Sequence, residues 1–242
     1  MKLKLICCDV FARLAYTVAA RSEHQVDVEL FPMLSHIEPD RLRRNLQEAL
    51  DKASLHQPFY DKIILAYGLC GNAVAGLHST LPLLIPRMHD CCAMFMGSQK
   101  EFLRVFGHRL STRWRSSGYM ERCGNGTLEN YKLDPEYLRL VAEYGEENAD
   151  YIWETMSAPI ETEEVIYITL EGLEYGGGLD RYSEQMAQES RKVEVVEGNA
   201  YWFERLINGP WEPGEFLEVL PGNKIEPIYD MNEVFKEVKN DI

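Results

Sequence analysis

The sequence predicts an α/β protein built on a mostly parallel sheet with flanking helices. Three observations carry that expectation. Ile63 to Ala66 and Leu81 to Ile85 are short, unbroken apolar runs, the pattern of strands buried on both faces of a parallel sheet. Strand-like and amphipathic helix-like segments alternate from the amino terminus to this region, which implies right-handed crossovers. The chain has 242 residues, 45% of them hydrophobic, which is ample for a large core. The expected organisation is one α/β domain over residues 1–242. The alternative is two Rossmann-like lobes, about 1–125 and about 126–242.

Taken in order, Lys2 to Val10 reads as a first strand, and Val10 to Ala20 is compatible with a helix. Val26 to Phe31 is a second strand, stopped at Pro32. Asp40 to Ala53 is amphipathic, with Leu42, Leu46, Ala49 and Leu50 on one face. The two apolar strands follow, joined by Asn72 to Thr80, a short helix or a turn-rich crossover. After Cys92 a helix is expected through about Phe106, with Gly97 and Ser98 inside it or breaking it. Arg109 to Gly126 has no steady period and is expected to be an ordered loop or lid over a site. Asp134 to Glu146 and Ala149 to Met156 are acidic helices. Glu164 to Leu170 is a strand, Glu171 to Asp180 a glycine-rich connection, Arg181 to Arg191 a helix and Lys192 to Val196 a strand. Tyr201 to Ile207 is helical, Phe216 to Leu220 is a late strand, and the tail from Met231 is expected to end in a short helix.

A net charge of −14 argues against nonspecific binding to nucleic acid or to anionic membranes. No apolar run approaches the ~20 residues needed to span a bilayer. Met1 to Phe11 is too short and too charged for a secretory signal, so a cytoplasmic location is expected. Six cysteines in such a chain do not suggest a disulfide framework.

Ligands of open α/β sheets bind beyond the carboxyl ends of the strands. Cys8, Cys70, Asn72, Arg87, His89, Asp90, Cys91 and Cys92 all fall at such ends. Cysteine with histidine favours zinc or another borderline metal, whereas several cysteines alone favour an iron–sulfur cluster. Cys8, Cys70, His89 and Cys91 are the candidate metal ligands, though no paired C-x-x-C is present. Cys7 and Cys92 are expected to point away from their neighbours, because side chains alternate along extended chain. Arg87 would anchor a carboxylate or phosphate, Gly71 would let backbone approach a ligand, and Asn72 and Asp90 complete the cofactor-binding candidates. Each residue also has an ordinary alternative: free cysteine is a common core residue, and a histidine is often simply hydrogen-bonded. Gly176-Gly177-Gly178 lacks a phosphate-loop pattern and is expected to be a connection.

Tyr67-Gly68-Leu69-Cys70-Gly71-Asn72, then Pro86-Arg87-Met88-His89-Asp90-Cys91 and Met96-Gly97-Ser98, resembles a domain-of-unknown-function family of anaerobic archaea and bacteria. The resemblance runs from Leu3 to Tyr119, and Cys8 matches that family's strand-end cysteine. The segment His108 to Arg115 departs from the family's more tyrosine-rich pattern. Members resemble accessory proteins encoded beside corrinoid-dependent methyltransferases. The resemblance therefore implies a corrinoid protein or methyltransferase as partner, and a corrinoid as a further cofactor.

The expected function is a metal- or iron–sulfur-binding accessory protein of anaerobic one-carbon metabolism. Two alternatives stand beside it. One is a cysteine- or metal-dependent enzyme acting on a small anionic substrate, with Cys70 or Cys91 as nucleophile. The other is a metal-free module for a small anionic cofactor, clamped by Arg87.

Overall fold

The structure is a computed structural model and describes residues 1–33, 35–56, 58–107, 112–122, 135–157, 164–228, 230 and 233–240. It is α/β, with a mostly parallel central sheet. The strands β1 (Lys2–Cys8), β2 (Gln25–Phe31), β3 (Lys62–Ala66), β4 (Leu83–Pro86) and β8 (Phe216–Val219) form a five-stranded sheet in the order β2-β1-β3-β4-β8. The first four strands are parallel and β8 is antiparallel to β4. Every residue of β3 and β4 is buried, as their unbroken apolar runs require.

Helix α1 (Ala12–Arg21) connects β1 to β2, and α2 (Pro39–Ser54) connects β2 to β3. They cover opposite faces. Leu14, Ala15 and Val18 of α1 pack with Leu3, Leu5, Ile64 and Leu84, whereas Leu42, Leu46 and Leu50 of α2 pack with Ile6, Ile63, Leu65 and Ile85. Because the connections leave β1 and β3 on opposite sides of the sheet, a crevice opens at their carboxyl ends.

A second, parallel sheet has the order β5-β6-β7, from β5 (Trp114–Ser116), β6 (Glu164–Thr169) and β7 (Lys192–Glu197). The helices α3 (Cys91–Met96) and α9 (Tyr201–Asn208) lie between the two sheets, and one apolar cluster runs through Leu5, Ile64, Phe95, Phe203, Ile166 and Ile168. On the outer face of the second sheet, Val165 and Tyr167 pack with Met120 and with Tyr182 and Met186 of α8 (Gly178–Gln188). Both sheets draw strands from either side of residue 125.

Several expected elements differ. The helix after Cys92 is two helices, α3 and α4 (Gln99–Phe106): Gly97 ends the first at φ +89°, and the Ser98 hydroxyl caps the second by accepting from Glu101 N–H. The stretch expected as an irregular lid contains, in its described part, β5 and α5 (Ser117–Arg122). Trp114 to Ser116 lie in register with β6, and that pairing overrides a sequence without clear periodicity. The expected terminal helix is instead a strand, β10 (Phe235–Lys239), paired antiparallel with β9 (Asn223–Pro227). Phe235 and Val238 supply strand-forming side chains, and the hairpin satisfies backbone groups that a helix too short to be stable would leave open. The acidic helices form a hairpin of α6 (Pro135–Tyr144) and α7 (Glu146–Ser157), with its own core of Tyr137, Leu140 and Ala149. Among the described residues, no helix is long and apolar enough to cross a membrane.

Candidate functional site

The site begins with three backbone devices at the ends of β1, β3 and β4. After β1, a 3-10 turn at Asp9–Phe11 carries the chain away, and the Asp9 carboxylate accepts the Met33 N–H at 2.7 Å. That bond ties the loop after β2 to the end of β1. After β3, Cys70, Gly71 and Asn72 take positive φ values of 44°, 65° and 68° in succession. The Asn72 carbonyl in this strained turn is held by the Arg43 guanidinium of α2 at 2.7 Å. After β4, the Asp90 carboxylate accepts the Ala93 N–H at 2.9 Å and starts α3. The last two ends are locked together, since Leu69 N–H donates to the His89 carbonyl at 2.8 Å. Gly68 makes this approach possible: a Cβ there would lie 2.7 Å from the His89 carbonyl and the Asp90 nitrogen.

These devices bring Cys8, Cys70 and Cys91 onto the wall of one cavity of about 20 Å³, in the crevice between β1 and β3. Tyr67, Gly68 and Met94 line it too, and His36 stands at its exposed side. Cys7 and Cys92 are buried in the apolar core instead. Alternation along β1 separates Cys7 from Cys8, whereas Cys91 and Cys92 are not extended: they open the first turn of α3, and the helical rotation between neighbours separates them.

The cavity is a poor place for charge. Burial pushes the Cys8 thiol up from its ordinary 9.0 to about 11 and the Cys70 thiol to about 12. Cys91 is raised well above the ordinary range by burial, and further by Cys70, Asp90 and Cys8. Those mutual influences place the three thiols in one electrostatic neighbourhood. Burial raises Tyr67 as well, with Cys8 and Cys7 adding to it. The His36 imidazole moves the other way: the protein around it lowers its basicity, against a smaller upward pull from Asp90. A cavity holding three neutral thiols and a neutral imidazole offers soft donors and gives up protons when a cation enters. Among the described residues, no group of three or more His, Cys, Asp or Glu side chains is already spaced to hold a metal ion.

The remaining candidates have other surroundings. His89 does not line this cavity; its N–H donates to Gln99 Oε1 at 3.3 Å, and its ring Nε2 is buried without a partner. The Arg87 guanidinium faces the carboxy-terminal segments, donating from Nε to the Pro213 carbonyl at 2.7 Å and from Nη1 to the Glu233 carbonyl at 2.6 Å and to that of Phe235. Asp90 caps α3, and Gly71 packs beside Pro39, where a Cβ would sit 3.1 Å from the proline ring. Cys123 lies outside the described residues. Of the expected lid, α5 packs on the Asp9–Phe11 turn: a Cβ at Gly118 would lie 2.1 Å from the Val10 carbonyl oxygen, and Arg122 acts electrostatically on Cys8 and Asp9. His36, Tyr67 and Asp9 were not among the sequence candidates. His36 follows β2 by a few residues, so the strand-end rule that selected Cys8 and Cys70 also points to it.

The family model described as "Protein of unknown function (DUF1638)" matches residues 30–207. That span includes Cys70, His89 and Cys91 but not Cys8. No curated protein and no solved structure matches the chain.

Proposed function

The chain belongs to the DUF1638 family, and we propose that it binds a single thiophilic metal ion through Cys8, Cys70 and Cys91, as an accessory protein of anaerobic one-carbon metabolism. One observation carries the proposal: three cysteines from three strand ends line one cavity at the switch point of the sheet. Its volume, about 20 Å³, exceeds the ~10–15 Å³ that one water requires, so a single ion can enter. Three thiolates with one imidazole suit a zinc or ferrous ion. His36 is the fourth donor, being the imidazole at this cavity and held toward its neutral, ligating form.

Such an ion would supply Lewis acidity, and the residues around it would do the rest. Cys8, Cys70 and Cys91 give their protons to solvent as they bind, Asp90 and the Leu69–His89 hydrogen bond hold two of the three loops, and Met94 and Leu42 keep the wall apolar. A nucleophilic cysteine is the weaker alternative, because burial holds these thiols neutral. The resemblance of the strand-end signatures supports a corrinoid protein or a methyltransferase as the partner.

Metal content after anaerobic purification and loading with zinc or ferrous ion tests this. The wild-type chain should hold one ion, and Cys70→Ala or Cys91→Ala should lose it, while Cys92→Ala keeps it. His36→Ala should weaken binding about 10–100-fold. If His89→Ala weakens it and His36→Ala does not, the fourth donor is His89. Equal metal content in wild type and Cys70→Ala would defeat the proposal.

A further inference from the structure

The starts of α4 and α9 meet at a second cleft, of about 430 Å³, which Arg87 and Met88 of the β4 loop also line. We propose that this cleft binds a small molecule carrying a phosphate or carboxylate group. The first ground is a pair of donors without acceptors. Gln99 is only 8% exposed; its Oε1 is engaged by the His89 N–H, which fixes the amide orientation and leaves Nε2 unpartnered. Trp202 is 5% exposed, and its Nε1 is likewise unpartnered. Both side chains line the cleft, each with its donor nitrogen buried in the wall. An amide NH₂ and an indole N–H can only donate, so the missing group is an acceptor.

The second ground is the backbone around them. Ser98 to Lys100 begin α4, and Tyr201 and Trp202 begin α9, each helix eight residues long. Ser98 Oγ takes the Glu101 N–H at 3.1 Å and Asn199 Oδ1 takes the Tyr201 N–H at 2.8 Å. The amides of Gln99 and Lys100 precede any helical carbonyl that could receive them, and the partial positive charge of both helix starts falls on one cleft. Gly97 allows the two starts to touch. At φ +89°, its absent Cβ would lie 2.7 Å from Asn199 Cβ.

The third ground is charge. In a chain of net charge −14, this cleft collects Arg87, Lys100 and Arg205 against one acid, Glu215, which pairs with Arg205. Arg87 is committed to carbonyls and contributes field alone, whereas Lys100 is exposed and able to reach a ligand. Trp202 and Phe216 supply an apolar wall, and the volume lies within the ~300–1,000 Å³ usual for small-molecule sites. The ligand is thus an oxyanion with a modest organic body.

Calorimetric titration of the full chain at low salt tests this with three probes: inorganic phosphate, adenosine monophosphate and succinate. At least one should bind saturably with one site per chain. The preferred probe tells phosphate from carboxylate and shows whether the organic body matters. Trp202→Phe and Gln99→Met each remove a donor and keep the apolar volume, and each should weaken binding about tenfold. Lys100→Glu, an exposed position that leaves folding intact, should weaken it at least as much, while Lys52→Glu on α2 should not. Unchanged affinity in Lys100→Glu and Trp202→Phe, with native circular dichroism, would overturn the site, as would the absence of saturable binding by all three probes. The result is independent of the thiol cavity, because Cys70→Ala should bind the same anion as wild type.

Discussion

Cys8 and Cys70 occupy positions where a parallel sheet usually presents its chemistry, yet each is held as a neutral thiol. Burial raises Cys8 from 9.0 to about 11 and Cys70 to about 12. The sign of the resulting pH dependence follows from linkage. The folded chain keeps these protons when the unfolded chain begins to release them near 9.0, so their stabilisation is complete below that value and is lost as pH rises toward 11 and 12. The melting temperature of metal-free protein should therefore fall from about pH 9 upward, by roughly 1.4 kcal/mol of stability per pH unit for each thiol. Cys70→Ala should show a shallower fall in the same scan. Identical slopes would mean that Cys70 is ionised in the folded chain as readily as in the unfolded one.

At the scale of elements, the strand-end loops are clamped rather than loose. The loop after β4 is the clearest case, since Arg87 joins it to the segments around Pro213, Glu233 and Phe235 through carbonyl acceptors. Arg87 N–H itself donates to the Glu215 carbonyl at 2.7 Å, extending the pairing of β4 with β8. This arginine fastens the β9–β10 hairpin to the sheet. Replacing it with methionine would leave three carbonyls without their charged donor, at about 1–3 kcal/mol for each one left buried. Arg87→Met should lower the denaturant midpoint and expose the chain after Pro227 to protease earlier than in wild type. Protection equal to wild type would show that the hairpin is held by Ile225, Val234 and Phe235 alone, all of them buried in the α2-side cluster.

At the scale of the molecule, the two sheets share α3, α9 and a single apolar cluster that includes Leu5, Phe95, Phe203 and Ile168. β8, from the carboxy-terminal half, completes the first sheet, and β5, from the amino-terminal half, begins the second. A chain so interleaved should unfold in one cooperative transition, with calorimetric and van't Hoff enthalpies equal. Two separable transitions would instead identify two lobes that fold alone.

What the sequence determined by itself was local. The apolar runs of β3 and β4 and the amphipathic face of α2 are set by side-chain chemistry within a few residues, and each is where that chemistry puts it. The strand-end rule pointed to Cys8, Cys70 and Cys91, which line one cavity, but equally to Arg87 and His89, which do not. Tertiary structure decided everything that depends on distance through space. Strand β5 exists because β6 lies beside it, and β10 because β9 folds back on it, since isolated short strands have too little to bury. The direction of Arg87, the place of His36 beside three thiols and the meeting of two helix starts at Gln99 and Trp202 join residues far apart in the chain. Only long-range packing brings such residues together, and no local periodicity records it.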